Sequence, residues 1–192
     1  MSTVGLIVAG GDSTRMGRDK ASVEIAGRTF VSWVADALSV VADRIVVAGR
    51  SATVDGFETI PDPDFSVRGP LAGLAALAGT APTERVTLVV AIDQPFVRAE
   101  TLALLQAHCD DLPVVPVDDG TRQVTCMAYP SGLLHAASEE AGAGGSLQTL
   151  LERVGCVEVT EQMWAEWGED GRSWRSLDTP DDVAHAIEVY GV

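Results

Sequence analysis

Residues 6 to 20 read LIVAGGDSTRMGRDK, and they crowd reactive groups into one short stretch. Four apolar residues run into the pair Gly10–Gly11. Two Asp, a Ser, a Thr, two Arg and one Lys then follow within nine positions. Glycines lack the side chains that would keep backbone N–H groups away from a ligand, and Arg15 and Lys20 add positive charge beside them. Lys20 is the only lysine in the chain; the other twelve bases are arginine. A compact ammonium can sit as a point charge between phosphate oxygens where a planar guanidinium fork often cannot. The pattern is not a P-loop, which needs Gly-Lys-Ser/Thr, because Gly17 is followed by Arg18 and Asp19. No G-x-G-x-x-G fingerprint occurs either.

Such a loop needs a rigid support. Short Val- and Ile-rich runs at 4–9, 44–49, 86–92 and 112–117 suit fully buried strands. Helical patterns at 30–41, 69–79 and 99–110 lie between them, the last with Leu102, Leu105 and Cys109 at helical spacing. This alternation predicts an α/β fold with a mostly parallel central sheet and helices on both faces. The second half is less regular. Strands are expected at 123–130 and 156–160, and helices at 132–141, 146–154 and 179–190. In the last helix Thr179 suits the N-cap, Pro180 the first position, and Asp181 and Asp182 the positive end of the dipole. The glycine loop then lies at the carboxyl end of the first strand, where open α/β sheets bind ligands.

Composition narrows the classes. The 192 residues fit one domain (1–192), and 46% are apolar, enough for a sizeable core. Asp and Glu number 28 against 13 Lys and Arg, a net charge of −15 that disfavours nucleic-acid binding. No apolar run approaches the roughly 18 residues of a membrane span. The amino terminus has no basic segment or cleavage signal, so the expectation is a cytoplasmic protein with no membrane association. Cys109, Cys126 and Cys156 have the spacing of neither a zinc site nor a disulfide framework. Trp164, Trp167 and Trp174 are irregularly spaced and read as packing residues rather than a stacking platform. His108, His135 and His185 have no partner spacing and are assigned no role.

The stretch VAGGDSTRMGRDK resembles the nucleotidyltransferase signature L-x-G-G-x-S-x-R-M-G-x-D-K, with Val8 at the usual Leu. IPDPDFSVRGPLAGL resembles the family's acidic residue followed seven positions later by G-P-L-A-G. VVAIDQPFV resembles its C-D-x-P-F/Y element, GSLQTLL its R-S-L-x-x-L-L segment, and SWRSLDTPDDV its N/D-T-P-E-D-L element. Within that superfamily the chain is most similar to the molybdenum cofactor guanylyltransferases, which attach GMP from GTP to the terminal phosphate of molybdopterin. The resemblance implies a three-layer Rossmann-like nucleotidyltransferase fold, with a nucleotide-binding amino-terminal half and an acceptor-binding carboxyl-terminal half. It also implies transient contacts with the enzymes that supply and receive the cofactor.

Residue by residue, the resemblance implies that Lys20 and Arg15 stabilise phosphate charge and that Asp93 holds Mg²⁺, with Asp178 a second carboxylate near the metal. Asp62 would contact guanine. Val8, Ala9, Gly10, Gly11, Gly69, Pro70 and Leu71 would line the nucleotide. Read as residues alone, Asp93 also suits a helix N-cap, Asp62 a Pro–Asp turn and Asp178 a turn before Thr179. Two segments depart from the guanylyltransferase pattern: Val47, Ala48 and Gly49 stand where Asn is frequent, and Val124 stands where Pro is expected. A molybdopterin cytidylyltransferase, a phospholactate guanylyltransferase and a sugar-phosphate nucleotidyltransferase therefore remain alternatives. A non-catalytic nucleotide sensor fits less well, because it needs no pyrophosphate site. The loop pattern predicts that Lys20→Ala lowers nucleotidyl transfer by at least ~10² while the protein remains folded, and that Lys20→Arg restores only part of it. Turnover beside circular dichroism tests this; near-parental turnover in Lys20→Ala would refute it.

Overall fold

Strand β1 (Thr3–Val8) is buried at every position and is hydrogen-bonded on both edges. The computed structural model describes residues 1–10, 22–49, 54, 56–64 and 66–191. On one edge β1 pairs in parallel with β4 (Arg44–Ala48), Ile7 opposite Val47. On the other it pairs in parallel with β6 (Val86–Ala91), Ile7 opposite Val90. Strands buried on both faces cannot alternate apolar with polar residues, which is why these segments are continuous apolar runs. Between β1 and β4 lie a small antiparallel hairpin, β2 (Glu24–Ile25) and β3 (Arg28–Thr29), and helix α1 (Phe30–Ser39). Thr29 caps α1 by accepting from the Ser32 amide.

Beyond β4 the sheet ends in β5 (Glu58–Ile60), and α2 (Pro70–Ala78) crosses back to β6. After β6 come α3 (Ala99–Ala107), β7 (Val114–Asp118), β8 (Thr121–Arg122) and β9 (Cys126–Pro130). Then follow α4 (Leu134–Gly142), α5 (Leu147–Val154), β10 (Val157–Val159), α6 (Glu161–Glu166) and α7 (Pro180–Tyr190). The strand order is β10-β7-β9-β6-β1-β4-β5, with β8 paired to β7. Strand β9 is antiparallel to both β6 and β7, so β7 and β10 run in the same direction as β6. The carboxyl ends of β5, β4, β1, β6, β7 and β10 therefore all reach one edge of the sheet.

Successive strand residues face opposite layers. Ile7, Val47 and Val90 pack with Phe30, Val34 and Leu38 of α1, Leu102 and Leu105 of α3 and Ala186 of α7. Leu6, Val46, Ala48 and Val89 pack on the other face with Leu74 and Leu77 of α2, Ala137 of α4 and Leu150 and Leu151 of α5. This is the α/β architecture with a mostly parallel sheet covered on both faces that the alternation predicts. Thr179 caps α7 in a reciprocal capping box with Asp182, and Pro180 takes the first helical position, as expected. Asp93 caps no helix: α3 begins at Ala99 with Arg98 at its N-cap. All three cysteines are free, and burial pushes the Cys109 thiol up to about 12. Among the described residues no helix is long and apolar enough to cross a membrane.

Leu102 is fully buried between α3 and the sheet. Leu102→Ala is expected to lower unfolding free energy by about 2–5 kcal/mol, the range for a truncated core leucine. Urea denaturation measures it, and a loss below about 1 kcal/mol would contradict this placement of α3.

Candidate active site

At the carboxyl edge the backbone continues the ladder past the strands. Ala9 N donates to Ala48 O at 2.9 Å, Ile92 N to Val8 O at 3.0 Å, and Gly49 N to Ile60 O at 3.0 Å. These bonds bring four chain segments level: 60–62 after β5, Gly49 after β4, Ala9–Gly10 after β1, and Ile92–Asp93 after β6. Gly49 has φ +88°, and a Cβ there would stand 2.5 Å from Gly10 N and 2.6 Å from Gly10 Cα. Only glycine permits both that backbone conformation and that approach. At Gly10 a Cβ would lie 2.8 Å from Asp62 Oδ2. The Asp62 carboxylate thus lies against bare backbone at the end of β1.

Asp62 is partly buried at this edge. Burial raises its carboxyl above the usual range, and the nearby Arg68 charge opposes the rise only in part. Gly69, with φ +76°, precedes α2, and Pro70 and Leu71 form its first turn. Helix α2 sits tightly on the strand ends: a Cβ at Gly73 would be 3.3 Å from Val8 Cγ2 and 3.4 Å from Ala48 Cβ. The amino end of α2 is thereby held at the same edge as Val8, Ala9 and Gly10.

On the other side of β1, Asp93 is half-buried in the turn after β6. Its carbonyl accepts from Leu177 N at 2.9 Å, which draws the segment ending in Asp178 alongside. Asp178 N in turn donates to Asp182 Oδ2 at 3.0 Å, so the start of α7 fixes the far side of Asp178. Two carboxylate residues distant in sequence are thus neighbours in space. Among the described residues no group of three or more His, Cys, Asp or Glu is arranged to hold a metal. A pair of carboxylates nevertheless fits the donor set of Mg²⁺, which takes one or two protein carboxylates and completes its shell with phosphates and water.

Of the residues singled out in the sequence, Val8, Ala9, Gly10, Asp62, Gly69, Pro70, Leu71, Asp93 and Asp178 gather along this edge. Gly11, Arg15 and Lys20 lie outside the described residues. Trp174 is buried, makes an edge contact with Trp164 at 5.4 Å, and donates its indole N–H to Asp118 Oδ2 at 2.8 Å. Trp167 packs on His108. The tryptophans pack, as expected. Sequence reasoning missed two buried polar residues, Gln94, which follows Asp93, and Glu169, which bonds to Thr101 and Ser173. It also missed a cavity of about 350 Å³ at the end of β7, lined by Val117, Gly120, Thr121, Arg122, Gln148 and Glu158. Arg122 and Glu158 pair across it at 2.7 Å. Neither group carries a sequence pattern, since each depends on a contact between residues more than 30 apart, Gln94 with Thr125, Glu169 with Thr101 and Arg122 with Glu158.

Residues 5–159 match the model of the MobA-like NTP transferase domain. The chain is 32% identical to a probable molybdenum cofactor guanylyltransferase of Natronomonas pharaonis, with 96% of each chain covered. It is 29% identical to a molybdenum cofactor guanylyltransferase of Cereibacter sphaeroides, covering 97% of this chain and 96% of that one. Its fold matches the crystal structure of molybdopterin-guanine dinucleotide biosynthesis protein A from Archaeoglobus fulgidus with a TM-score of 0.80, at 24% identity and 98% coverage of both chains.

The raised Asp62 carboxyl has a consequence for stability. A folded-state pKa above the unfolded value means that this group favours folding least once it is ionised. Its contribution is intact below the unfolded pKa and is lost as pH rises through the folded one. Asp62→Asn is therefore expected to melt at or above the parent temperature at pH 7.5, with the difference narrowing as pH falls towards ~4. Thermal melts at several pH values test this; a lower melting temperature for Asp62→Asn at pH 7.5 would refute it.

Proposed function

The chain belongs to the MobA-like NTP transferase family and is a nucleotidyltransferase, and from that premise we propose that it transfers GMP from GTP to the terminal phosphate of molybdopterin. The observation that carries the reading is the arrangement at one sheet edge: Asp62 against the bare backbone of Gly10 on one side of β1, and Asp93 beside the Asp178 segment on the other. The first pair suits a purine ring edge. The second suits the charged phosphates.

In this reading an acceptor phosphate oxygen attacks the α-phosphorus of GTP. The bond from that phosphorus to the oxygen bridging to the β-phosphorus breaks, and pyrophosphate leaves with that oxygen and its electron pair. Little covalent chemistry falls to the protein, so positioning and charge stabilisation dominate. The Asp62 carboxylate accepts from guanine N1–H and the N2 amine, and leaves a base without those donors poorly matched. Val8, Ala9 and Gly10 line the base and ribose by their backbone, while Gly69, Pro70 and Leu71 bring the start of α2 to the nucleotide. Lys20 and Arg15, with the backbone of Gly11, take the phosphates. Asp93 and Asp178 would hold Mg²⁺, which supplies charge neutralisation on the phosphates when bound.

The acceptor approaches from the carboxyl-terminal half. The cavity beside β7 lies in that half and has a polar lining in Thr121, Arg122, Gln148 and Glu158. Those groups offer both donors and acceptors to a nitrogen-rich ring system.

With purified protein and molybdopterin as acceptor, GTP should be used in preference to ATP and CTP. Asp62→Ala should lower GTP use and narrow its advantage over ITP, which lacks the N2 amine. Asp93→Asn should lower turnover by ~10² and weaken the Mg²⁺ dependence, with a much smaller effect on GTP binding. A preference for CTP would assign the chain to cytidylyl transfer. Absence of transfer to molybdopterin with any nucleotide would refute the proposed acceptor.

A further inference from the structure

Gln94 follows Asp93 directly and is fully buried, an uncommon place for an amide unless its polar atoms are satisfied. Here each end is engaged. Its Oε1 accepts from Ala91 N at 3.3 Å, at the end of β6. Its Nε2 donates to Thr125 Oγ1 at 2.7 Å and to the carbonyl of Trp174 at 3.1 Å. One side chain thus ties the turn that carries Asp93 to the segment that carries Asp178, reaching it at Trp174, three residues before Leu177 and four before Asp178.

The same segment is pinned upstream by Glu169, a carboxylate only 4% exposed. Its Oε1 accepts from the amides of Asp170 and Gly171, and its Oε2 from the hydroxyls of Thr101 and Ser173. Ser173 Oγ also accepts from Arg98 N at 3.1 Å. Between residues 169 and 177 the chain is therefore fastened to the 91–101 segment at Thr101, Arg98, Gln94 and Asp93 in turn. Each of these links is buried or partly buried, so solvent does not replace one cheaply when it is lost.

We propose that Gln94 is a positioning residue for the metal-holding pair: its buried amide, backed by the Glu169 cluster, sets where Asp178 stands relative to Asp93. The inference rests on the reading of Asp93 and Asp178 given above. A neutral amide suits this task beside two carboxylates. It supplies donors to Trp174 O and Thr125 Oγ1 without adding a third negative charge that would push the pair apart.

The test is Mn²⁺ binding to the protein without nucleotide, read from loss of the free-ion electron paramagnetic resonance signal, alongside thermal melting. Gln94→Met keeps the volume and removes the bridge, and should raise the Mn²⁺ dissociation constant by ~10-fold, the scale for losing a group that orients metal ligands. Thr125→Val removes one partner of Gln94 but leaves the link to Trp174, and should stay within about twofold of the parent by the same scale. A lower melting temperature in Gln94→Met with unchanged Mn²⁺ affinity would overturn the proposal and leave Gln94 a structural residue. Equal loss of affinity in both variants would overturn it as well. Asp178→Asn is the reference: unchanged affinity there would refute the two-carboxylate reading itself, whereas weakened affinity there with none in Gln94→Met refutes the role of Gln94 alone. Should Gln94→Met not fold, Ser173→Ala loosens the same segment through one hydroxyl, and the same criterion applies to it.

Discussion

The structure depends on the register of one strand. With Ile7 opposite both Val47 and Val90, β4 and β6 end level with β1, and their connecting backbones emerge side by side. Shift either partner by one residue and each strand would turn its apolar side chains to the wrong layer. The level ends are also what allow Gly49 to sit against Gly10 and Ile92 to donate to Val8. The site is a consequence of that alignment: it uses backbone that the sheet has already placed, and adds carboxylates from the loops.

Charge makes the arrangement demanding. In a chain of net charge −15, the edge proposed to take a polyphosphate carries Asp62, Asp93 and Asp178. Asp62 is separated from the other two by β1, so the carboxylates form two groups rather than one repelling cluster. One is desolvated and held against glycine backbone, where burial raises its proton affinity. The others are brought alongside by the bond from Leu177 N to Asp93 O, and in the proposed reading a cation between them would relieve their repulsion. In the proposed reading this division, one carboxylate against glycine backbone and two near each other, separates base recognition from phosphate handling.

Much of this was legible in the residues. The buried strands at 3–8, 44–48 and 86–91 announce themselves because full burial demands unbroken apolar runs, and α7 because Thr179, Pro180 and Asp182 spell its first turn. The candidate residues Asp62, Asp93 and Asp178 rest on the resemblance of their motifs, which does not say that Leu177 bonds to Asp93. What stayed hidden is what depends on distant contacts. Strand β5 is three half-exposed residues at a sheet edge, and α6 buries none of its residues, so neither has an apolar period. WGEDGRSW, residues 167–174, carries no helical or strand pattern, yet Glu169 is among the least exposed charges of the described residues. A carboxylate is buried there because Thr101, 68 residues away, joins Ser173 and two neighbouring backbone amides around it, and the distant hydroxyl leaves no local signature.

Helix α7 has a further consequence, in the hierarchy of local openings. Its one buried residue is Ala186, while Phe30, Val34 and Leu38 anchor α1 deep in the same layer. A helix with so little buried apolar surface exchanges its amide hydrogens through small fluctuations rather than through global unfolding. Asp178 stands at the seam between two such units. The amide of Leu177 is tied to the turn after β6 through Asp93, while that of Asp178 is tied to the first turn of α7 through Asp182. The proposed metal end of the site is thereby joined to a helix with little buried apolar surface. A bound ion there would lower the exchange rates of α7 by closing the seam from both sides.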